Sequence, residues 1–379
     1  MRFPEFCEEW RKYKLSELAK RIIRKNKENN LNILTISSQL GLISQLEFFN
    51  KSVSAKDVTG YYLLHRNDFA YNKSYSTGYP MGAIKRLNRY EKGVVSTLYI
   101  CFNFNNNIDN AFIEQSFETG NQNTEIEKIA QEGARNHGLL NIGVSDFFNI
   151  SLNIPSLQEQ QKIASFLTLI NERIECQRKI INQHETEMRI IREKIFNQQI
   201  RFKDENGNYF TDWIYQRLGK MSHITTGRLD ANAMIENGDY RFYTCAKDFY
   251  KIDKYAFDTE ALLISGNGAN VGYIHYYKGR FNAYQRTYVL DDFRENILYV
   301  KYFLDTYLEK RINLEKKEGN TPYIVLSTLS EMEIKIPCIK EQTKIANFLS
   351  SLDAKIETEK QLFEQYKQQK AYLLQNLFI

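Results

Sequence analysis

A glycine-rich run is the part of the chain that most resembles a catalytic loop: Gly266-Asn267-Gly268-Ala269-Asn270-Val271-Gly272 follows the strand-like segment 261–264. Such a run can cradle a phosphate when it reads Gly-x-Gly-x-x-Gly, or when a Lys-Ser/Thr pair follows it. Val271 occupies the third glycine position of the first pattern, and no such pair follows. We therefore interpret the run as a turn between two strands.

Other catalytic patterns are equally incomplete. Metal-dependent cleavage of phosphodiesters would need paired carboxylates near a lysine, and the nearest match, Glu333-Ile334-Lys335, lies directly before a proline without a second acidic partner. We interpret it as strand surface. Methyl transfer to adenine would be expected to show an Asn/Asp-Pro-Pro-Tyr/Phe motif, and the chain contains no Pro-Pro pair. The five cysteines and five histidines show no metal-ligand spacing, which disfavours zinc and a disulfide framework.

Composition sets the broad class of the protein. A length of 379 residues predicts two to three folding units, and 42% hydrophobic with 26% charged residues is typical of a soluble globular protein. The start, MRFPEFCEEW, is acidic where a signal peptide would be apolar, so we expect a cytoplasmic protein. A net charge of +5 is only mildly basic. Any contact with nucleic acid must therefore come from local patches.

One long internal repeat organises the chain. Residues 154–175 read IPSLQEQQKIASFLTLINERIE, and residues 336–357 read IPCIKEQTKIANFLSSLDAKIE, at a constant offset of 182. Each copy opens with a proline, which suits the approach to a helix because its missing N–H is tolerated there. No proline or glycine follows as far as Arg201 or Ile379. The sequence predicts two long helices, the first from Gln158 to Arg201.

The spacing of apolar residues in both helices predicts a coiled coil. Steps of four and three alternate over about five heptads. The first seam contains Ile163, Leu167, Ile170, Ile174, Ile181, Met188, Ile191 and Ile195, with Gln177 and His184 as polar members. The second contains Ile345, Leu349, Leu352, Ile356, Phe363, Tyr366, Leu373 and Leu377, with Glu359 and Lys370 as polar members. We expect an antiparallel pairing, in which His184 and Glu359 set the register.

The rest of the chain consists of two segments of similar size, each preceding a helix. The division is 1–153, 154–203 (helix), 204–335 and 336–379 (helix). Phe6-Cys7-Glu8-Glu9-Trp10 and Phe210-Thr211-Asp212-Trp213 are weakly similar openings. Runs such as 93–100 and 284–290 favour strands, whereas 299–310 has helical spacing. The fold class is predicted to be α+β.

A proline-led helix reading IP-x-x-x-EQ-x-KI-A-x-FL, present twice and each time closing a domain of this size, resembles the repeated helix of type I restriction-modification specificity subunits. The likeness covers the whole chain in layout and is sharpest in the two helices. It implies two target recognition domains, 1–153 and 204–335, each reading one half of a split, asymmetric DNA site. The two long antiparallel helices would separate the domains as a spacer, and their length would set the gap between the half-sites.

The resemblance also implies partners. Two methyltransferase subunits would dock on the helices, bring S-adenosylmethionine and methylate adenine, and restriction subunits would translocate and cut the DNA. S-adenosylmethionine, ATP and Mg are expected on those partners, with no cofactor, metal or catalytic residue in this chain. The exposed members of the repeat are the candidates for the dock, with capping of the helix start as the alternative. They are Glu159, Gln160, Lys162, Glu341, Gln342 and Lys344.

DNA contacts need Arg, Lys, Asn, Gln, Ser or Thr on exposed loops, and ordinary solvated loops have the same composition. In the first domain the candidates are Lys73, Ser74, Tyr75, Thr77, Lys85, Arg86, Arg135, Asn136 and His137. In the second they are Asn267, Asn270, Arg280, Gln285, Arg286, Thr287, Asn320 and Thr321. Two other functions compete with this interpretation. One is a self-sufficient adenine methyltransferase with drifted motifs, and the other is a coiled-coil adaptor that does not bind DNA.

Overall fold

The computed structural model of the chain describes residues 1–37, 40–49, 57–76, 78–130, 140–315 and 323–378. The chain forms two compact units. Unit 1 is Met1–Gln177 with Phe363–Ile379, and unit 2 is Arg178–Leu362. Each unit contains one mixed α/β part and a segment of both long helices, whereas the predicted division assigns each helix to a part of its own.

The α/β part of unit 1 is built from short elements. In chain order they are β1 (Arg11–Lys14), α1 (Leu15–Leu18), β2 (Ala19–Arg21), β3 (Leu34–Ser37), β4 (Gly41–Ser44), α2 (Gln45–Phe49), β5 (Tyr62–His65), β6 (Phe69–Asn72), β7 (Ala83–Arg86), β8 (Lys92–Val95), β9 (Ile100–Phe104), α3 (Asn110–Glu118), α4 (Asn123–Ile129), α5 (Val144–Phe148) and β10 (Ser151–Ile154). The first long helix, α6 (Leu157–Phe196), follows.

A four-stranded sheet in the order β2-β9-β6-β7 forms the centre of unit 1, with β3–β4, β5–β8 and β1–β10 as separate antiparallel pairs. Its main core is aromatic: Phe69 and Phe102 stack at 5.7 Å, and Tyr71 stacks on Phe147 at 4.7 Å. Aromatic residues bury a large apolar area each, so a few of them can stabilise a sheet of such short strands.

Unit 2 repeats this plan with longer strands. Its elements are β11 (Ile214–Arg217), α7 (Leu218–Met221), β12 (His223–Thr226), a 3-10 turn (Ala231–Ala233), β13 (Tyr240–Tyr243), β14 (Tyr250–Ile252), β15 (Phe257–Ser265), β16 (Ile274–Ala283), β17 (Thr287–Asp291), α8 (Ile297–Glu315), α9 (Leu326–Ser330), β18 (Glu333–Ile336) and the second long helix α10 (Ile339–Leu377). A six-stranded sheet has the order β12-β17-β15-β16-β13-β14, and β11 pairs with β18.

Several local predictions are confirmed in unit 2. The glycine-rich run connects β15 to β16, the Glu-Ile-Lys segment lies in β18, and 299–310 lies within α8. The strand predicted over 284–290 begins only at Thr287. Residues 284–286 form a turn, because the Thr287 N–H donates to the carbonyl oxygen of Tyr284 at 2.8 Å.

The long helices begin where the prolines indicate. After Pro155, the Ser156 hydroxyl accepts from the Glu159 N–H at 3.3 Å, and the Ser156 carbonyl accepts from the Gln160 N–H at 3.0 Å. A serine at the start of a helix satisfies one of its free N–H groups in this way. The helix then continues for 40 residues.

The end of α6 differs from the prediction, because the helix stops at Phe196 and not at Arg201. Gln198 adopts a left-handed conformation with φ of 60°. The Gln199 N–H donates to Lys194 O, and the Gln198 N–H donates to Ile195 O, each at 2.8 Å. This pair of bonds is the Schellman motif, which usually has glycine at the left-handed position. Because position 198 holds a glutamine and not a glycine, the sequence did not indicate that the helix ends at this point.

The predicted seam is confirmed in each unit. In unit 1, the start of α6 shares a core with the end of α10, and the Arg173 guanidinium lies 4.3 Å from the centre of the Tyr366 ring. In unit 2, Met188 and Ile195 share a core with the start of α10, and Glu185 pairs with Lys360 at 2.7 Å. Both pairings are antiparallel. None of the helices in the described ranges is both long enough and apolar enough to cross a membrane.

His184 lies at the surface of the seam in unit 2. Its Nδ1 is 3.3 Å from a carboxylate oxygen of Glu187, one turn along the same helix. The expected pairing of His184 with Glu359 as a register-setting contact stays a prediction.

The first and last described residues of the chain lie together in unit 1, where the Met1 ammonium group donates to Asn376 O at 2.6 Å. A chain with Ile379 joined to Met1 by a short linker, and opened between Arg201 and Tyr209, is therefore expected to fold, because the junction spans a short distance. Circular dichroism and thermal unfolding of the permuted chain test this. Loss of cooperative unfolding in a chain joined in this way would contradict it.

Candidate nucleic-acid interface

Five loops of unit 2 meet at one place, where β12, β13 and β15 end and β17 begins. Backbone hydrogen bonds hold them: the Gly266 N–H donates to Arg286 O at 2.8 Å, the Ile324 N–H to Gly266 O at 2.7 Å, and the Gln285 N–H to Leu229 O at 2.9 Å. We call this site the loop cluster. It consists of residues 227–230, 244–248, 266–272, 284–286 and 323–325.

Four of the predicted DNA-contact residues come together on the loop cluster. Asn270 Nδ2 donates to Cys245 O at 3.0 Å, and Gln285 Nε2 donates to Asp230 Oδ1 at 2.7 Å. Arg286 is exposed, and no carboxylate of the described chain pairs with it. Asn267 is half-buried on the same loop as Asn270. Donors fixed on a rigid strand end, together with a free guanidinium, are the chemistry that a nucleic-acid surface requires.

The remaining candidates of the second domain lie elsewhere. Arg280 is on β16, where its Nε donates to Asp258 at 2.9 Å. Asn320 and Thr321 fall outside the described residues, although Tyr323 of the loop cluster follows them closely. Thr287 is fully buried opposite Ser265 in the β17–β15 pair, so the structure contradicts its selection as a surface contact. The reason is the alternation of side chains along a strand, which turns this residue towards the inside of the sheet.

In unit 1 the first group of candidates follows β6. Tyr75 is exposed, whereas Lys73 and Ser74 are half-buried, and the Ser74 N–H donates to Asn72 Oδ1 at 3.1 Å. Thr77, Arg135, Asn136 and His137 fall outside the described residues. DNA contact by these residues stays a prediction.

The prediction of Lys85 as an exposed DNA-contact residue is wrong. Lys85 is buried, its Nζ contacts Glu118 and donates to the Tyr79 hydroxyl at 2.9 Å, and it lies 4.5 Å from the centre of the Tyr79 ring. Arg86 pairs with Glu114 at 2.7 Å, and both side chains are largely buried. Burial raises the pKa of Glu114 and of Tyr79, and it lowers the pKa of Lys370, which faces the same carboxylates from α10. These charges are neutralised inside unit 1, because buried charges need partners.

The repeated Glu-Gln pair is also buried, which contradicts its prediction as an exposed dock. Glu341 is fully buried, and it accepts from Arg201 Nε at 2.9 Å and from Trp213 Nε1 at 3.0 Å. Gln342 accepts from the Asn296 N–H at 2.9 Å and donates to Pro337 O at 2.9 Å. The pair therefore fixes the start of α10 to the α/β part of unit 2.

Unit 1 contains the same arrangement. Glu159 accepts from Arg2 Nε at 2.7 Å and from Trp10 Nε1 at 3.3 Å, and Gln160 accepts from the Asp109 N–H at 2.8 Å. We call each set, Arg2-Trp10-Glu159 and Arg201-Trp213-Glu341, a lock. Sequence analysis did not identify Arg2 and Arg201 as members of the locks. The two similar openings that contain Trp10 and Trp213 did indicate that both units begin alike.

The lysines of the repeat lie outside the locks. Lys162 is exposed, 3.5 Å from Glu5 and 5.6 Å from the centre of the Phe3 ring. Lys344 is half-buried, donates to Lys203 O at 2.8 Å and lies 5.8 Å from the centre of the Phe210 ring. Docking of a partner at these two lysines stays a prediction.

Comparison with known proteins finds similarity over part of the sequence. Residues 211–368 match the family model described as type I restriction modification DNA specificity domain. A 165-residue stretch is 41% identical to the type I restriction enzyme EcoDI specificity subunit of Escherichia coli, covering 43% of this chain. That stretch is 36% of the relative's length, so the chain spans about a third of the curated relative that it matches.

Solved structures show the same fold over the full length. The type I restriction-modification S subunit from M. genitalium superimposes with a TM-score of 0.60 at 17% identity, covering 100% of this chain and 98% of that chain. A second solved chain comes from a study of complex assembly and conformational transition of the type I R-M system. It superimposes with a TM-score of 0.58 at 15% identity, and the match covers 99% of this chain and 98% of that chain. In its matched domain and its curated relative, the chain is similar to the specificity subunits of type I restriction-modification systems, and its duplicated α+β fold is the fold of solved S subunits.

Proposed function

We propose that this chain selects the DNA sequence for a type I restriction-modification complex and leaves methyl transfer and cleavage to partner subunits. The observation that carries the proposal is the match of residues 211–368 to a DNA specificity domain, because that range contains the whole loop cluster with Asn267, Asn270, Gln285 and Arg286. Within the described ranges, no group of three His, Cys, Asp or Glu side chains could hold a metal ion. The proposal places the protein in the cytoplasm with its DNA.

Recognition of a split site follows from the duplication. Each unit has its own core, its own sheet and its own lock, so each is expected to read one half of an asymmetric sequence. Because the helix repeat presents the same surface twice, the chain can bind two copies of one partner. This supports the docking of two methyltransferase subunits per chain. These would carry S-adenosylmethionine, and restriction subunits would carry ATP and Mg.

A gel shift with double-stranded genomic fragments, in the presence and absence of a methyltransferase subunit, tests the proposal. We expect sequence-selective retardation that strengthens when the methyltransferase subunit is added. A purified chain that transfers methyl groups from S-adenosylmethionine by itself would contradict a non-catalytic role. A chain that binds partner proteins but retards no fragment in either arm would support an adaptor instead.

Exchange of residues 204–335 for the matching segment of a relative is expected to change one half of the methylated sequence and to leave the other unchanged. The physical reason is that the loop cluster lies entirely within the exchanged segment, whereas the sheet and core of unit 1 lie outside it. Methylome sequencing of a host that expresses the chimera with a methyltransferase subunit measures both halves. Changes in both halves would show that the two units share one recognition surface.

A further inference from the structure

Arg241 is a cation that the sequence patterns did not single out. It lies on β13, and its guanidinium carbon is 4.3 Å from the centre of the Phe249 ring and 4.5 Å from the centre of the Tyr277 ring. Its Nη1 donates to the Tyr243 hydroxyl at 3.3 Å. Two aromatic contacts and a hydrogen bond restrict the rotamers of a side chain that is otherwise flexible.

The charge of Arg241 has no carboxylate partner in the part of the chain that the structure describes. Of the carboxylates in the described ranges, none lies within 4.0 Å of its guanidinium. Arg280 on the neighbouring strand provides a contrast, because it also contacts an aromatic ring, Tyr255, at 4.9 Å, but it pairs with Asp258 at 2.9 Å. Arg280 therefore completes its interactions within the sheet, and Arg241 does not.

A second cation that has no ion pair with any described residue faces Arg241. Lys251 on β14 is its direct cross-strand partner, and Lys251 is exposed. Like charges at directly opposed positions destabilise an antiparallel pair. The repulsion between Arg241 and Lys251 therefore lowers the stability of the free protein. A bound ligand that carries negative charge or many hydrogen-bond acceptors would offset this repulsion.

Phe249 directly follows residues 244–248 of the loop cluster in the chain. Asn270 donates to Cys245 O at 3.0 Å, and His275 Nε2 lies 3.0 Å from Ala246 O. Burial lowers the pKa of His275, which favours the neutral ring. Two side chains thus fix residues 245–246, which lie in the chain between Arg241 and its aromatic partner Phe249.

We infer that Arg241 is a specificity-determining residue that reads a guanine of the half-site recognised by unit 2, with Lys251 holding an adjacent phosphate. This inference rests on the proposed DNA-recognition function. A guanidinium can donate two parallel hydrogen bonds to O6 and N7 of guanine in the major groove, and the Arg241 guanidinium uses one of its donors on Tyr243. The restricted orientation of the Arg241 guanidinium favours contact with a base, because the planar group must align with the base edge to donate both hydrogen bonds.

The test compares Arg241→Lys and Arg241→Ala with the wild-type chain, each in complex with the methyltransferase subunit. Methylome sequencing first defines the wild-type motif. Fluorescence anisotropy then measures binding to duplex oligonucleotides that carry this motif, and to duplexes in which each G·C pair of the second half is replaced in turn. We expect Arg241→Lys to reduce discrimination at one G·C pair by about 5- to 150-fold, with the other positions and the first half unchanged.

Arg173→Lys is the matched control. Its guanidinium contacts the Tyr366 ring at the same 4.3 Å, but on the long helix of unit 1, so the motif should remain as in the wild type. Lys251→Gln should weaken all duplexes alike and reduce the salt dependence of binding. Should Arg241→Ala not fold, Arg241→Lys retains the charge and still tests the reading of the base.

Two results would overturn the inference. Full wild-type discrimination by Arg241→Lys would show that the fork reads no base. Equal weakening of every duplex by Arg241→Ala, with no change in discrimination, would make Arg241 a phosphate contact. A wild-type complex that methylates no defined motif would instead refute the proposed function itself, and that outcome is distinguishable from both.

Discussion

Replacement of Glu341 by alanine is expected to lower the free energy of unfolding of unit 2 by about 3–5 kcal/mol. Glu341 is fully buried and accepts hydrogen bonds from Arg201 and Trp213. Its removal leaves the Arg201 guanidinium, whose side chain is only 15% exposed, without a carboxylate. An unpaired charge in such a place costs more than the intact pair contributes, because its desolvation is no longer compensated.

Urea unfolding of the full-length chain, followed by tryptophan fluorescence, measures the loss of stability. Hydrogen-exchange mass spectrometry assigns it to unit 2. Glu364→Ala is the control, because Glu364 is an exposed helix residue whose pair with Lys367, at 3.0 Å, should contribute less than about 0.5 kcal/mol. Glu159→Ala should increase exchange in unit 1 instead. An unfolding curve of Glu341→Ala that coincides with that of Glu364→Ala would mean that the lock is dispensable.

Replacement of Gly227 by alanine is expected to destabilise unit 2 by about 3 kcal/mol or more and to abolish sequence-selective DNA binding. Gly227 directly follows β12 in the loop cluster. A Cβ at this position would lie 1.9 Å from Ala283 O and 2.7 Å from Tyr284 O, and both are backbone atoms. Backbone atoms cannot rotate away as a flexible side chain can, so the turn at 284–286 would have to move.

Two glycines provide controls of graded severity. Gly268 has φ of +80° with no atom within 4 Å of its built Cβ, so alanine there should cost only the strain of the left-handed backbone, about 1–2 kcal/mol. Gly60 has an open site and an ordinary backbone, so its replacement should change stability by less than about 0.5 kcal/mol. Thermal unfolding ranks the stabilities of the three glycine-to-alanine variants, and fluorescence anisotropy ranks their binding to a duplex that carries the methylated motif. Wild-type binding by Gly227→Ala would show that the loop cluster does not need this close approach.

The long helices illustrate how far local patterns extend. Their starts and their seam follow from Pro155, Pro337 and the heptad spacing, because a helix that buries one stripe must repeat apolar residues along it. The end of α6 did not follow, because Gln198 terminates the helix in a conformation that glycine normally adopts. Nothing in the residue type announces that terminus, which depends on hydrogen bonds to Lys194 and Ile195.

The candidate site was predictable only in part. Asn267, Asn270, Gln285 and Arg286 were identifiable as polar residues on turn-forming sequence, and they meet in the loop cluster. Lys85 and Thr287 have the same chemistry, yet both are buried. The difference arises from the sheet register, which turns one side chain outward and its neighbour inward, and from partners such as Glu118 that are distant in sequence.

The order of the residues was enough to predict the duplicated plan, the heptad seam and the resemblance to type I specificity subunits, because a repeat and a period can be read directly along the chain. The roles of the polar residues in that plan became clear only from the folded structure. Glu159 and Glu341 look like surface residues in the helix repeat, but each closes a buried lock with an arginine and a tryptophan from the start of its unit. Arg241 was not identified from the sequence, and no carboxylate of the described residues neutralises its charge. The burial and pairing of a charge depend on contacts between residues far apart in the chain, and no local pattern encodes them.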